Sequence, residues 1–404
     1  MEVQKDVPFT IEELTADWLS KGFTDSGLLS SGVITAIRVE RIGEQVGFNG
    51  EVAIITPSYE GDASAAPKRI VLKIPTASKN RILGQTMGLY EKEIRFYRDL
   101  RPELNIRTPE HYYSALDIAD DPDVILERLA GMNKLPIWVI RGLMAAATWF
   151  VTGHPRRYAL LIEDLSSYRM GDQAAGCSDT DVENIITVMA RLHAQYWDSD
   201  ELAGMSWIAP YAVTSRIMQM RYLQAYNDFM TDLGAELATS QLALTQWLKT
   251  HGIALTEEFG DEPATLLHGD FRLDNICFDD AKGEIILFDW QTMMAGPGAS
   301  DLAYFLSATL PAETDEAKIQ SLIDLYHTEL SGHGVDIERD HLQRNYETGL
   351  LCMLHRMLPT VYLPSMDLDE ERSLPLLKAW LRRIFKRLEV IDQQSLTRTL
   401  VGST

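Results

Sequence analysis

The chain has 404 residues, 46% hydrophobic and 24% charged, a globular composition that excludes wholesale disorder and suits two packed lobes. Lys plus Arg total 37 against 59 Asp plus Glu, a formal net charge of −22 that repels phosphate backbones and anionic lipid, so no nucleic-acid or membrane partner is expected. Cys177, Cys277 and Cys352 lie far apart with no C-x-x-C pair, which argues against a disulfide framework or a zinc site.

Ser31–Glu40 alternates loosely and Glu51–Thr56 is a short apolar run. Between them, Gly43, Gly47 and Gly50 punctuate a turn. After a polar turn, Arg69-Ile-Val-Leu-Lys73-Ile-Pro75 has strand-forming residues and is ended by its proline. These three runs predict an antiparallel meander. Lys73 is a lone cation inside its apolar strand. The apolar period then predicts a helix over 87–100, with Leu89, Tyr90, Phe96, Tyr97 and Leu100 on one face. Glu93 falls inside that face and Glu91 opposite it. A carboxylate on a buried stripe needs a counter-charge, and Lys73 is the natural candidate.

Two helices are predicted over 122–132 and 136–151, separated by Gly131 and Pro136. The run Leu135–Val151 is short of a membrane span and carries Arg141 near its middle. Tyr158–Leu165 reads as a buried strand with acids near its end, and Ser166 begins a polar hinge. Helices follow over 180–198, 210–233, 236–251, 314–332, 338–358 and 371–391, interrupted by a strand–turn–strand segment at 276–290. The expected fold is α+β. A small antiparallel-sheet lobe spans 1–165, with a helical insertion at 118–156, and a larger, mostly helical lobe spans 166–404. Ligands sit in clefts between such lobes.

The chemistry concentrates in His268-Gly-Asp270-Phe-Arg-Leu-Asp-Asn275 and Ile285-Ile-Leu-Phe-Asp289-Trp-Gln. A hairpin with its turn at Asp279–Gly283 folds Asn275 back beside Phe288 and Asp289. An amide and a carboxylate side by side suit one magnesium ion, which takes oxygen ligands and usually one or two protein groups. Asp270, on the preceding loop, is placed to accept a proton from an attacking hydroxyl.

Asp-x-x-x-x-Asn, a short hairpin and an apolar strand ending in Asp resemble the catalytic and metal loops of the protein-kinase-like superfamily. His-Gly-Asp-Phe and Asp-Trp-Gln resemble its aminoglycoside phosphotransferase and choline kinase branch. Leu161–Leu165, Leu192–Trp197, His268–Asn275 and Gly296–Ala303 look closer still to the ecdysteroid kinase-like family. The resemblance implies a two-lobed kinase-like fold and an ATP-dependent, magnesium-dependent phosphotransferase. It implies Asp270 as catalytic base, Asn275 and Asp289 as metal ligands, and Lys73, set by Glu93, on the α- and β-phosphates. It also implies that the backbone from Glu163 to Leu165 meets the adenine. The glycines are spaced G-x3-G-x2-G rather than G-x-G-x-x-G, so Gly47 stands both as a phosphate-cradling residue and as part of a simple turn.

The nine histidines show no metal-ligand spacing, which separates this pattern from two-metal phosphoesterases. His268 reads as a brace and His193 as a core residue. Asp301 reads as a helix cap or, by the resemblance, a support of the active-site floor. Arg272 reads as facing the cleft or as pairing with Asp274 or another acid. Trp207, Tyr211, Met218, Tyr222, Tyr226 and Phe229 read as core or as acceptor pocket. The 136–151 segment reads as packing, as a lid or as a dimer contact. Glu257–Glu258, Asp261–Glu262 and the 367–371 acids read as solvated surface.

The acceptor implied by the closest family is the hydroxyl of a lipophilic small molecule such as a steroid. Aminoglycosides or choline-type amines are the alternative that the acidic charge favours, and a catalytically silent binding protein is the other. The start of the chain has no basic, apolar leader pattern, which makes the cytoplasm the expected location.

Overall fold

The computed structural model describes residues 6–42, 50–76, 80–118, 122–363, 373–389 and 391. Helix α1 (Ala16–Asp25) precedes three strands, β1 (Val33–Arg41), β2 (Gly50–Glu60) and β3 (Ile70–Pro75), which pair antiparallel as the predicted meander. The predicted helix over 87–100 is present from Leu89 to Leu100, its second half a π turn, and a further helix precedes it. Helix α2 (Asn80–Thr86) leads into α3 (Leu89–Arg95), which loosens into a π turn over Phe96–Leu100. Strand β4 (His111–Leu116) was not expected from the sequence. The insertion forms α4 (Pro122–Met132) and α5 (Ile137–Gly153), and β5 (Tyr158–Glu163) follows. The sheet order is β1-β2-β3-β5-β4, so β5 runs between β3 and the unexpected β4.

Strand alternation assigns the two faces. Ile70, Leu72 and Ile74 point toward Leu19 and Phe23 of α1, in one apolar cluster with Leu161 and Ala159. Lys73 is therefore on the opposite face. There Tyr158, Leu160 and Ile162 join the main core through Tyr90, Ile94 and Phe96.

Beyond β5 come the short β6 (Arg169–Met170), α6 (Asp179–Gln195), α7 (Asp200–Ala203), α8 (Ser215–Asp232) and α9 (Thr239–Gly260). Then follow β7 (Ala264–Leu267), the hairpin β8 (Ile276–Asp279) and β9 (Glu284–Leu287), and β10 (Met294–Pro297). Helices α10 (Ala299–Thr309), α11 (Glu316–Gly332), α12 (Arg339–Tyr362) and α13 (Ser373–Leu388) complete the chain. Every residue of α10 is buried, as befits a helix with little polar face. It packs on α12, which also touches α8, α9, α11 and α13 and forms the axis of the helical lobe.

The insertion is tied into the body at both ends. Ile140 of α5 is fully buried among Leu129, Ile217 and Met220, so α4 and α5 pack on α8. Asn133, in the turn between them, accepts from the Arg216 N–H at 3.0 Å and from the Ser215 hydroxyl at 3.1 Å. It caps the start of α8 from more than eighty residues away. Glu257 joins this knot by accepting from Ser215 at 2.9 Å, so it is not a solvated surface acid. Glu262 likewise accepts from Asn345 at 3.0 Å. The 367–371 acids lie outside the described residues. At its far end α5 meets α2, where Gln85 donates to the His154 carbonyl at 2.9 Å and accepts from the Arg156 N–H at 3.1 Å. Among the described residues no helix is long and apolar enough to cross a membrane.

Candidate active site

A cleft of about 1190 Å³ runs between the sheet and the helical body. Lys73, Glu93, Glu163, Leu165, Asp270, Asn275 and Asp289 all line it. Gly47 lies outside the described residues.

Lys73 reaches two acids at once: its Nζ is 2.8 Å from Glu93 Oε1 and 2.8 Å from Asp289 Oδ1. Burial works against its charge, but Asp289 and Glu93 outweigh it and hold the ammonium above its ordinary pKa. Glu93 is 3% exposed, and Gln291 donates to its other oxygen at 3.0 Å. The segment Asp289-Trp-Gln is thus bound to α3 twice, since Trp290 also stacks on Phe96 with centroids 4.1 Å apart. Glu91, expected on the exposed side, is buried instead and pairs with Arg156 at 3.3 Å. The insertion covers the face of α3 that a two-sided wheel leaves in water.

The β8–β9 register pairs Ile276 with Leu287, and the Phe288 N–H bonds the Asn275 carbonyl at 3.1 Å. The two ends of the hairpin therefore meet. Asn275 donates through Nδ2 to the Asp270 carbonyl at 2.9 Å and to Asp270 Oδ2 at 2.8 Å. Asp289 adopts a left-handed backbone conformation (φ 65°), unusual for a residue with a side chain. Among the described residues nothing donates to Asn275 Oδ1 or Asp289 Oδ2. One amide and one carboxylate oxygen are left with open valences, a donor set that fits a hard divalent cation completed by water and phosphate.

Asp270 also accepts from the Tyr304 hydroxyl on α10 and from Arg272 Nε at 3.4 Å. Burial raises its carboxyl, but the Arg272 charge, the Tyr304 hydrogen bond, His268 and Asn275 together hold it below the usual carboxylate range. Arg272 combines both roles expected of it: it lines the cleft and pairs with Asp274 at 3.0 Å.

The loop itself is braced from below. His268, 1% exposed, bridges to the Phe288 carbonyl through Nε2 at 2.9 Å. Asp301 accepts the backbone N–H groups of His268 at 2.7 Å and Gly269 at 3.1 Å. It does not cap its own helix, where Gly298 holds that position. Gly269 has φ +77°, and a Cβ there would sit 2.3 Å from the Thr292 carbonyl, so only glycine fits.

At the hinge, Arg107 grips both oxygens of Glu163 at 2.6 Å. The Glu163 N–H is committed to the Glu110 carbonyl and the Leu165 carbonyl to the Tyr168 N–H. The Leu165 N–H has no partner among the described residues. Ile42, Val52, Val71, Ile162 and Phe288 give this end of the cleft its apolar walls.

The other end is roofed by Ile125, Leu126 and Leu129 of α4 and Met144 of α5. Trp207, Tyr211 and Met218 face this space, whereas Tyr222, Tyr226 and Phe229 are core. The aromatic stretch of the sequence is thus both pocket and core, divided along the chain. Tyr304, Gln291 and Arg107 were not singled out in the sequence. Gln291 lies two residues past Asp289, within reach of the Glu93 logic. Tyr304 and Arg107 carry no local signal, because their partners are remote in sequence.

Solved structures share this architecture. Choline kinase from Cryptosporidium parvum superposes with a TM-score of 0.52 at 10% identity, covering 91% of this chain and 92% of that one. An ethanolamine kinase from Plasmodium vivax gives 0.50 at 9% identity, covering 89% and 85%. At such identities the likeness is one of fold, the two-lobed kinase-like fold. A stretch of 74 residues is 38% identical to acyl-CoA dehydrogenase family member 10 of Mus musculus. It spans 17% of this chain but only 6% of that protein. The ecdysteroid kinase-like family matches residues 47–338, and the chain belongs to that family.

Proposed function

We propose that this chain is a small-molecule kinase that moves the γ-phosphoryl group of ATP to the hydroxyl of a lipophilic acceptor such as a steroid. The convergence of Lys73, Asp270, Asn275 and Asp289 on one cleft supports the reaction. Asn275 and Asp289 hold magnesium, which neutralises charge on the phosphate oxygens when bound. Lys73, fixed by Glu93, positions the triphosphate, and the free N–H of Leu165 meets the base. Asp270 orients the acceptor hydroxyl and takes its proton, and its lowered pKa keeps it ionised for that role.

The acceptor class rests on the roofed end of the cleft. Its walls are the side chains of Trp207, Tyr211, Val213, Ile217, Met218 and the α4–α5 roof. Clustered free carboxylates, which an aminoglycoside or choline-type amine requires, are missing among the described lining residues. Every acid there has a basic partner.

The test is phosphotransfer by the purified protein with ATP and magnesium across hydroxysteroids, aminoglycosides and choline. The expected outcome is magnesium-dependent transfer to a steroid alcohol. Asp270→Ala and Asp289→Ala each lower it by about 10²–10⁴-fold while melting stays cooperative. Wild-type turnover in either variant refutes the assignment. Transfer to amines alone replaces the acceptor class, and ATP binding with no transfer to any acceptor favours the silent binding protein.

A further inference from the structure

The acids of the cleft are all satisfied. Glu91 pairs with Arg156 at 3.3 Å, Glu163 with Arg107 at 2.6 Å, Asp164 with Arg69 at 2.6 Å and Asp274 with Arg272 at 3.0 Å. Glu93, Asp270 and Asp289 are paired as described above. The converse fails for the bases. Lys92, next to Glu93 on α3, and Arg356 on α12 line the same cleft, and among the described residues neither has an acidic partner.

Arg356 has the Tyr211 ring 6.0 Å away. It also acts on the hydroxyl of Tyr304, which is bonded to Asp270. On α3, Arg95 sits over Trp207 at 5.9 Å, so the Trp207–Tyr211 segment runs along the cleft from α3, which carries Lys92, to Arg356 of α12. Burial alone acts on Lys92 and pushes its ammonium down to about 8. A desolvated cation with no counter-charge is a standing cost to the fold, and a bound anion removes it.

Resting on the kinase reading above, we propose that the acceptor is a lipophilic alcohol bearing an acidic group, a carboxylate in the simplest case. Lys92 and Arg356 neutralise that charge, and the apolar roof and walls enclose the hydrocarbon body. A neutral alcohol leaves both cations unanswered, and an amine adds a third positive charge beside them. The charge of the chain as a whole does not decide this point, because the acids of the cleft are already consumed locally. An anionic acceptor must pass an acidic protein surface, so salt speeds its association.

The experiment is calorimetry on the full chain with magnesium and a non-hydrolysable ATP analogue. The probes are two matched pairs: a hydroxysteroid carboxylic acid and its methyl ester, and a long-chain hydroxy fatty acid and its methyl ester. The acid of at least one pair binds about tenfold more tightly than its ester. Lys92→Met and Arg356→Met each remove most of that preference by weakening the acid alone, and Lys92→Arg and Arg356→Lys restore it. Where a methionine variant fails to melt cooperatively, the glutamine substitution at the same position takes its place. Equal binding of acid and ester, or binding of neither in both pairs, overturns the inference. So does a variant that weakens acid and ester alike. The kinase reading is judged separately, by magnesium-dependent ATP hydrolysis of the wild type without acceptor. A clear preference for the acid with no hydrolysis and no transfer sustains the anion site and overturns the kinase.

Discussion

Lys73 and Lys92 are both partly buried lysines lining one cleft, and their surroundings push them in opposite directions. Lys73 lies 2.8 Å from each of two carboxylates, and they more than offset its burial. Lys92 has burial alone, which brings its pKa from 10.5 to about 8. In the first region the fold balances its own charges. In the second it leaves a positive charge for something else to balance. A cavity can thus be preorganised in two senses, by completed networks that hold a geometry and by incomplete ones that wait for a ligand.

Breaking the balanced region has the largest effect. Lys73→Met leaves Glu93 buried beside Asp289 without its cation, so unfolding free energy falls by about 3–5 kcal/mol in urea denaturation. Adding Glu93→Gln to that variant recovers part of the loss. If the double variant is no more stable than the single one, the two charges are not coupled.

The unbalanced region behaves the other way. Lys92→Met raises stability at pH 7 by about 1 kcal/mol, because it removes an uncompensated cation. The pH dependence follows from the same cause. The folded pKa of about 8 lies below the ordinary 10.5, so between these values the unfolded chain binds the extra proton. Stability therefore rises with pH through that window, and the Lys92 contribution is at its least favourable below it. Denaturation curves at pH 7.5 and pH 10 show this rise in the wild type, and the rise shrinks in Lys92→Met. A variant less stable than wild type at pH 7 shows that Lys92 has a compensating partner in the folded protein.

The smallest effect belongs to the outer face of the roof. Trp149 is 79% exposed, and Trp149→Ala changes stability by less than about 0.5 kcal/mol and leaves acceptor binding intact. A larger change in thermal melting places that face in a packed contact.

The parts of the molecule legible in the sequence are those whose logic is local. The meander follows from three apolar runs and their turns. The β8–β9 hairpin is set by a turn of the right residue types, so the neighbourhood of Asn275 and Asp289 could be read directly. The Lys73–Glu93 contact was accessible because a charge on an apolar face demands a partner. Glu91 misled for the complementary reason: a helical wheel assumes one wet face, and the insertion dries it. Strand β4 was missed although His111-Tyr-Tyr-Ser-Ala-Leu is rich in aromatics, because two residues of alternation beside a polar loop set no clear period. Tyr304 and Asn133 were out of reach, since the groups they bind come from distant segments. The unpaired state of Lys92 and Arg356 is likewise a property of three-dimensional neighbours, not of sequence.

The double attachment of α5 has a mechanical consequence. In a simple two-lobed clamp the halves rock about the single crossing strand after β5. Here a second strut joins them, gripping α2 through Gln85 at one end and α8 through Asn133 at the other. A strut fixed at both ends resists being stretched, so separating the halves costs the hydrogen bonds at one of its ends. Weakening the Gln85 or Asn133 contacts therefore eases that separation at a joint remote from the chemistry.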